Sequence, residues 1–300
     1  MAKKSGGGCL VLVIVAGLAI FGYYQWQKGS SAAPPSGDDT GGGTGRYVAL
    51  GDSYTSAPRT GAAAGTPPGC DRSANNYPHL VSASIKPAEF VDVSCSGAVT
   101  ASMTGTQKTA NGTNPAQLDA VTKTTTLVTV GIGGNDVGFI ALAQQCTTVH
   151  PNGAACRDRL TADGHDQLAE RTAATAPKIA ALLDTIHTKA PKAQIIVVGY
   201  PTVLPDGDGC WPALPVGSGD VAYLRDSLAN LNTMLSDQAK AHKAGYADTA
   251  TPSKGHDLCT ASDTRWTEGI VPTSHAIPLH PNAKGEQAMA ETVENLVKTP

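Results

Sequence analysis

A serine stands directly after a strand-like apolar run in RYVALGDSYTS, residues 46 to 56. Tyr47, Val48, Ala49 and Leu50 read as a buried strand that stops at Gly51, which puts Ser53 at the end of that strand. There Ser53 is either a nucleophile or the N-cap of the next helix, a position that serine favours. A serine hydroxyl becomes a useful nucleophile only when a base takes its proton.

The chain has 8 histidines. His280, in IPLHPNAKGEQ, is the first candidate base, because Pro278 and Pro281 fix its turn and Asn282 can cap the helix that follows. His256, in KGHDLC, is the second and His275 the third. His79, His150, His165, His187 and His242 have no convergent partner in their helical or loop contexts. Acyl transfer also needs donors for the oxyanion of its tetrahedral intermediate. Gly97, in SCSGA, offers a backbone N–H with no Cβ in the way, and Asn135, in GIGGND, offers an uncharged side-chain N–H. The competing reading of Asn135-Asp136 is an Asx turn.

Several familiar motifs are absent. GDSYT has Thr55 where the G-x-S-x-G elbow needs glycine. GIGGND lacks the last glycine of G-x-G-x-x-G, and no H-E-x-x-H occurs.

The elements that must hold these residues follow from hydrophobic patterning. EFVDVSCSG reads as a strand ending near Gly97, TTLVTVGIGGND as one ending near Gly131, AQIIVVGYP as the clearest strand and AGYADTA as a weaker one. Helices are expected from about Asp166 to Lys189, with Pro177 blurring the start, around Leu224, Leu228, Leu231 and Leu235, and over Asn282 to Lys298. Strands alternating with helices argue for a parallel sheet covered on both faces. Ligands bind beyond the carboxyl ends of such strands. Ser53, Gly97 and Asn135 would then share one rim.

Composition bounds the function. The chain has 300 residues, 41% apolar and 16% charged, with a net charge of -3. That charge gives no basic surface for nucleic acid. Residues 1–27 read as a cytoplasmic stub and an uncleaved membrane anchor: MAKK precedes an uncharged run from Cys9 to Tyr24, with Tyr23, Tyr24 and Trp26 suited to an interface. A cleaved signal peptide is the alternative. Residues 28–45 read as a flexible Gly/Ser/Pro linker and residues 46–300 as the folded domain. Six of the 7 cysteines fall in that domain, which suits an oxidising compartment. Sequential pairing is the simplest of their 15 connectivities: Cys70–Cys95, Cys146–Cys156 and Cys210–Cys259. With no C-x-x-C and no histidines grouped around the cysteines, no metal is expected.

GDSY, CSGA, GGND and LHPN, in this order, resemble the four blocks of the SGNH (GDSL) hydrolases, named for the serine, glycine, asparagine and histidine. The likeness extends to DTATPSKGHDLC, RWTEGIVPTS and LHPNAKGEQAMA, which are similar to segments of a secreted bacterial lipase and esterase branch with three disulfides. The resemblance spans nearly all of residues 46 to 300. It implies a three-layer α/β/α sandwich around a parallel sheet. It also implies a serine ester hydrolase without cofactor: Ser53 as nucleophile, His280 as base, and the Ser53 N–H, Gly97 N–H and Asn135 side chain as oxyanion donors. Most members carry aspartate three residues before the histidine; here Ile277 stands there. The expectation is that the backbone carbonyl of Ile277, or of an immediate neighbour, orients His280, with Asp257 or Asp263 as alternative carboxylates. The expected substrate is an acyl ester of a lipid or small alcohol, and the expected state a monomer tethered to the membrane with its domain outside the cytoplasm. The alternatives are a deacetylase or acyltransferase acting on cell-envelope glycans, or a non-catalytic binding module on the same fold.

Overall fold

The computed structural model describes residues 45–297. Strand β1 (Arg46–Gly51) leads into a single helical turn, α1 (Ser53–Ser56), then helix α2 (Tyr77–Ile85) and strand β2 (Glu89–Asp92). A short antiparallel hairpin, β3 (Gln107–Thr109) with β4 (Gly112–Asn114), precedes strand β5 (Thr125–Gly131). The turn α3 (Gly134–Val137) and helices α4 (Phe139–Gln145), α5 (Ala155–Leu160) and α6 (Gln167–Lys189) follow. Strand β6 (Gln194–Val198), helix α7 (Ser218–Ala241), strand β7 (Gly245–Ala247) and helix α8 (Ala283–Glu294) complete the order.

The five-stranded sheet runs β2-β1-β5-β6-β7, and every pairing in it is parallel. Side chains alternate between two cores, as strand geometry requires. Val48, Leu50, Val128 and Val130 pack with Ile179 and Leu183 of α6 and Leu224 and Leu231 of α7. Tyr47, Ala49, Leu127 and Ile196 pack with Tyr77 and Val81 of α2 and Met289 and Val293 of α8. The result is the three-layer α/β/α sandwich that the strand and helix alternation predicts. Each fully buried Val, Leu or Ile contributes about 1.5–3 kcal/mol.

The chain steps from β1 outward to β2, then returns to the other side of β1 for β5. The order therefore reverses between β1 and β5, and a crevice opens where their carboxyl ends diverge. Glycines line that point. A Cβ on Gly51 would lie 2.1 Å from the Thr55 hydroxyl and 2.7 Å from the Gly131 carbonyl, so only glycine lets the strand end pass. Gln117 holds Gly51 from both sides, accepting from its N–H at 2.8 Å and donating to its carbonyl at 2.9 Å.

One strand boundary differs from expectation, while helix α6 keeps the expected span. Strand β2 stops at Asp92 rather than near Gly97: the Asp92 carboxylate accepts the Ser94 N–H at 2.9 Å and hydroxyl at 2.6 Å, although the Val93 and Cys95 amides still donate to the Ala49 and Gly51 carbonyls of β1. Helix α6 runs through Pro177 without a break. Pro177 is exposed, so the carbonyl it leaves unpaired faces water. The proposed anchor, residues 1–27, and nearly all of the linker lie outside the described residues. Among the described residues no helix is long and apolar enough to cross a membrane.

Candidate active site

The helical turn after β1 is capped by Asp52, whose Oδ1 accepts the Tyr54 N–H at 2.9 Å. Ser53 is therefore not the cap. It is the first helical residue, where the helix itself gives the N–H no partner. Its hydroxyl lies 2.8 Å from Nε2 of His280, although the two residues are 227 apart in sequence. Ser53 is 8% exposed and His280 5%, so the pair is nearly enclosed but reachable.

His280 sits in a turn that accounts for its orientation. Its N–H donates to the Ile277 carbonyl at 3.3 Å, and Leu279 between them has φ +64°. With proline at the second position and positive φ at the third, this is type II geometry. The turn occupies the Ile277 carbonyl with the backbone and turns the Pro278 carbonyl toward the ring. Nδ1 of His280 then lies 2.8 Å from the Pro278 oxygen. This corrects the expectation for Ile277: the orienting carbonyl belongs to its immediate neighbour. Neither alternative carboxylate reaches His280. Asp257 Oδ1 accepts the Cys259 N–H, and Asp263 Oδ1 accepts the Thr264 hydroxyl. With no carboxylate beside it, burial dominates and lowers the His280 pKa to about 4, partly offset by the Pro278 bond.

Tyr54 ties the serine turn to the histidine turn. Its hydroxyl donates to the Leu279 carbonyl at 2.6 Å, and its ring lies 4.7 Å from that of His280. The histidine turn is braced behind by Glu268. The Glu268 N–H donates to the His280 carbonyl at 2.9 Å, and the Leu279 N–H donates to the Glu268 carbonyl at 3.2 Å. Its carboxylate accepts from Asn282, Ser274 and Thr273. Asn282 also caps α8, accepting from the Lys284 and Gly285 amides.

The expected oxyanion donors come from the loops after β2 and β5. Gly97 has φ +77°, a left-handed conformation that glycine adopts freely. Asn135 is in α3, at the carboxyl end of β5, and its amide donates one hydrogen to the Ala98 carbonyl at 2.9 Å. The side chain reaches across to the Gly97 loop and does not close an Asx turn. An NH2 group has a second hydrogen to give. Asp136 joins the same two loops, accepting from the Thr100 N–H at 2.8 Å and from its hydroxyl, with Lys178 at 3.3 Å. The Cys70–Cys95 disulfide anchors the Gly97 loop, where the Cys95 N–H donates to the Gly51 carbonyl at 3.0 Å. Cys146–Cys156 and Cys210–Cys259 are the other two bridges.

Sequence reasoning missed Asp52, Tyr54, Tyr200 and Glu268. Burial pushes the Asp52 carboxyl up to about 7, although bonds from the Tyr200 hydroxyl and the Tyr54 N–H oppose the shift. The other histidines stay apart from Ser53. His256 stacks on Trp266 with ring centres 3.9 Å apart, and its Nδ1 lies 2.7 Å from the Thr264 oxygen. His275 is exposed. No cluster of potential metal ligands occurs among the described residues.

Ser53, Tyr54, Asn135 and Tyr200 line a small recess together with Phe139 and Ile140. Phe139 and Ile140 also line an apolar cavity of about 220 Å³, with Leu204, Leu214, Leu258 and Leu279 among its walls. An open cleft of about 520 Å³ also reaches Asn135, lined in part by Thr100, Met103 and Lys178.

Comparison with known proteins places the chain in a family. The model of the GDSL-like Lipase/Acylhydrolase family matches residues 49–288. Lipase 2 of Streptomyces coelicolor is 39% identical over 254 residues, covering 82% of this chain and 83% of its own. The phospholipase A1 of Streptomyces albidoflavus superposes with a TM-score of 0.72 at 28% identity, covering 85% of this chain and 100% of that one. The extracellular lipase of Streptomyces rimosus gives a TM-score of 0.70 at 27% identity, over 84% of this chain and 100% of that one. A match over most of the chain and relatives of this identity leave one assignment: the chain belongs to the GDSL-like lipase/acylhydrolase family and is a carboxylic ester hydrolase.

Proposed function

We propose that the chain cleaves acyl esters through an acyl-enzyme on Ser53. The observation that carries this reading is the relay from the Pro278 carbonyl through His280 to the Ser53 hydroxyl, two contacts of 2.8 Å each. His280 takes the serine proton as Oγ attacks the ester carbonyl, then returns it to the leaving alcohol. The Ser53 N–H, the Gly97 N–H and the second Asn135 amide hydrogen hold the oxyanion. In the second half-reaction His280 deprotonates water, which attacks the acyl-enzyme and frees Ser53. The Pro278 carbonyl keeps the Nδ1 tautomer protonated, so that Nε2 is the acceptor.

The substrate is a lipid or other acyl ester with an apolar acyl group. The apolar cavity that shares Phe139 and Ile140 with the recess supports this over an acetylated envelope glycan, whose acetyl group would leave it unfilled. The domain works outside the cytoplasm, with support from its three disulfides and from the extracellular relative. Tethering by residues 1–27 rests on their sequence alone, and membrane fractionation before and after high-salt washing tests it.

The test of the reaction is labelling with an organophosphonate beside hydrolysis of p-nitrophenyl acetate, butyrate and octanoate. Ser53→Ala should lose both labelling and turnover while keeping its melting temperature, and octanoate should be the preferred ester. Stoichiometric labelling of Ser53→Ala would overturn the assignment of the nucleophile. A preference for acetylated glycans would favour the deacetylase reading.

A further inference from the structure

The Tyr200 hydroxyl is engaged on both sides. It donates to Asp52 Oδ2 at 2.6 Å and accepts the Gly134 N–H at 2.8 Å. Asp52 is the cap of the nucleophile turn, and Gly134 precedes Asn135. The two loops that must frame a reacting carbonyl therefore meet on one phenolic oxygen.

The approach is specific. A Cβ on Gly134 would lie 2.9 Å from Cζ and Oη of Tyr200, so a side chain there would push the ring away. Tyr200 is itself fixed from behind. Its N–H donates to Asn232 Oδ1 at 2.8 Å, and its carbonyl accepts from Asn232 Nδ2 at 2.8 Å. Asn232 belongs to α7, packed on the sheet. The Tyr54 ring meets that of Tyr200 edge-on at 5.1 Å. The ring has little freedom, and Tyr200 is 4% exposed. It touches neither the Ser53 hydroxyl nor His280 through a hydrogen bond, so it has no part in the proton relay.

We infer that Tyr200 is a positioning residue for the oxyanion site, its hydroxyl setting the separation between the Ser53 turn and Asn135. The inference rests on the proposed role of Asn135 as an oxyanion donor. Misplacement of a catalytic group by about 1 Å can cost on the order of a hundredfold in rate. Breaking the Tyr200 bridge leaves the relay intact but lets the two donor loops drift apart.

The experiment is a double-mutant cycle on the full chain, with p-nitrophenyl octanoate as substrate and with melting temperatures recorded. Tyr200→Phe keeps the ring and should lower kcat by about tenfold or more, against the hundred- to thousandfold loss of a whole donor, with KM nearly unchanged. In the Asn135→Ala background the same change should lower kcat by less than about twofold, because the donor it positions is gone. Equal losses in both backgrounds, or an unchanged kcat in Tyr200→Phe alone, would overturn the inference. Should Tyr200→Phe not fold, Asp52→Ser, which retains a capping oxygen but has no second polar atom for the Tyr200 hydroxyl, breaks the bridge from its other end in the same cycle. An unchanged kcat in Asn135→Ala alone would remove the oxyanion assignment and this inference with it. A large Asn135 effect without coupling would remove only this inference.

Discussion

The Pro278 carbonyl oxygen accepts from Nδ1 of His280 at 2.8 Å, in the place where a serine triad sets its carboxylate. A carbonyl can hold the tautomer and the ring plane. It brings no full negative charge to stabilise the imidazolium, so the base is a dyad member with a low pKa.

The first prediction follows from that pairing. Asp257→Asn and Asp263→Asn should each keep kcat within about threefold of the parent, whereas amidation of a true triad acid costs about ten-thousandfold. Ile277→Ala should also keep most activity, because the turn needs its carbonyl and not its side chain. Steady-state kinetics on the three variants decides it. Collapse of kcat in either aspartate variant would mean that a carboxylate reaches His280 during turnover.

The second prediction concerns pH. His280 must be neutral to accept the serine proton, and burial lowers its pKa from 6.5 to about 4. The acid limb of kcat/KM, which reports the free enzyme, should therefore fall near pH 4 and not near 6.5. The same shift has a stability consequence. The unfolded chain takes up this proton first as pH falls below 6.5, so the stability tied to neutral His280 is full above that value and is lost as pH falls toward 4. A kcat/KM profile on an uncharged ester checks the first part, and an inflection near 6.5 that persists in Asp52→Asn, whose own carboxyl titrates at about 7 in the parent, would refute it.

The third prediction tests the loop after β2. A Cβ on Gly97 would meet only Gln107 Nε2, at 3.8 Å, so space is available. The obstacle is φ +77°, which costs a side chain about 1–3 kcal/mol. Gly97→Ala should melt lower by about 2–4 °C for each kcal/mol of that cost, with the Cys70–Cys95 bridge still anchoring the loop, and its kcat should fall as the N–H swings away. Paired measurements of melting temperature and kcat check this. An unchanged kcat would take the Gly97 N–H out of the oxyanion site.

Much of this was legible in the sequence, for a local reason. The β strands are contiguous apolar runs, and Ser53, Gly97 and Asn135 each follow one of them closely, so parallel topology alone puts them on one rim. His280 was legible because prolines flank it. What escaped was the set of contacts made between loops. Tyr200 meets Asp52 across 148 residues, and Tyr54 meets Leu279 across 225. Periodicity carries no information about such pairs. The choice of Pro278 over Ile277 turned on the backbone of Leu279, whose positive φ no side-chain pattern announces. Helix α2 escaped although Asn76 caps it and Pro78 stands in its first turn, because the run behind these start signals is short and weakly amphipathic.

The last prediction concerns Glu268, buried behind the histidine turn. Its carboxylate accepts from the Asn282 amide at 2.8 Å, the Ser274 hydroxyl at 2.6 Å and the Thr273 N–H at 2.7 Å, while its backbone pairs with His280 and Leu279. Burial raises its pKa, but these bonds outweigh burial and hold it below the ordinary glutamate value of 4.5. Glu268→Gln keeps the shape and turns one acceptor oxygen into a donor facing other donors. Losing charge-assisted bonds of this kind costs about 1.5–3 kcal/mol. At neutral pH the variant should therefore melt lower and turn over more slowly, because the His280 turn loosens. The sign with pH is fixed by the direction of the shift. A lowered folded pKa gives stability that is complete above 4.5 and is lost as pH falls through the folded value. The stability gap between parent and variant should narrow on acidification, while the His280 contribution, common to both, cancels. Denaturant unfolding of the pair from neutral to acidic pH measures it. A gap that stays constant to strongly acidic pH would mean that the carboxylate charge does not brace the turn.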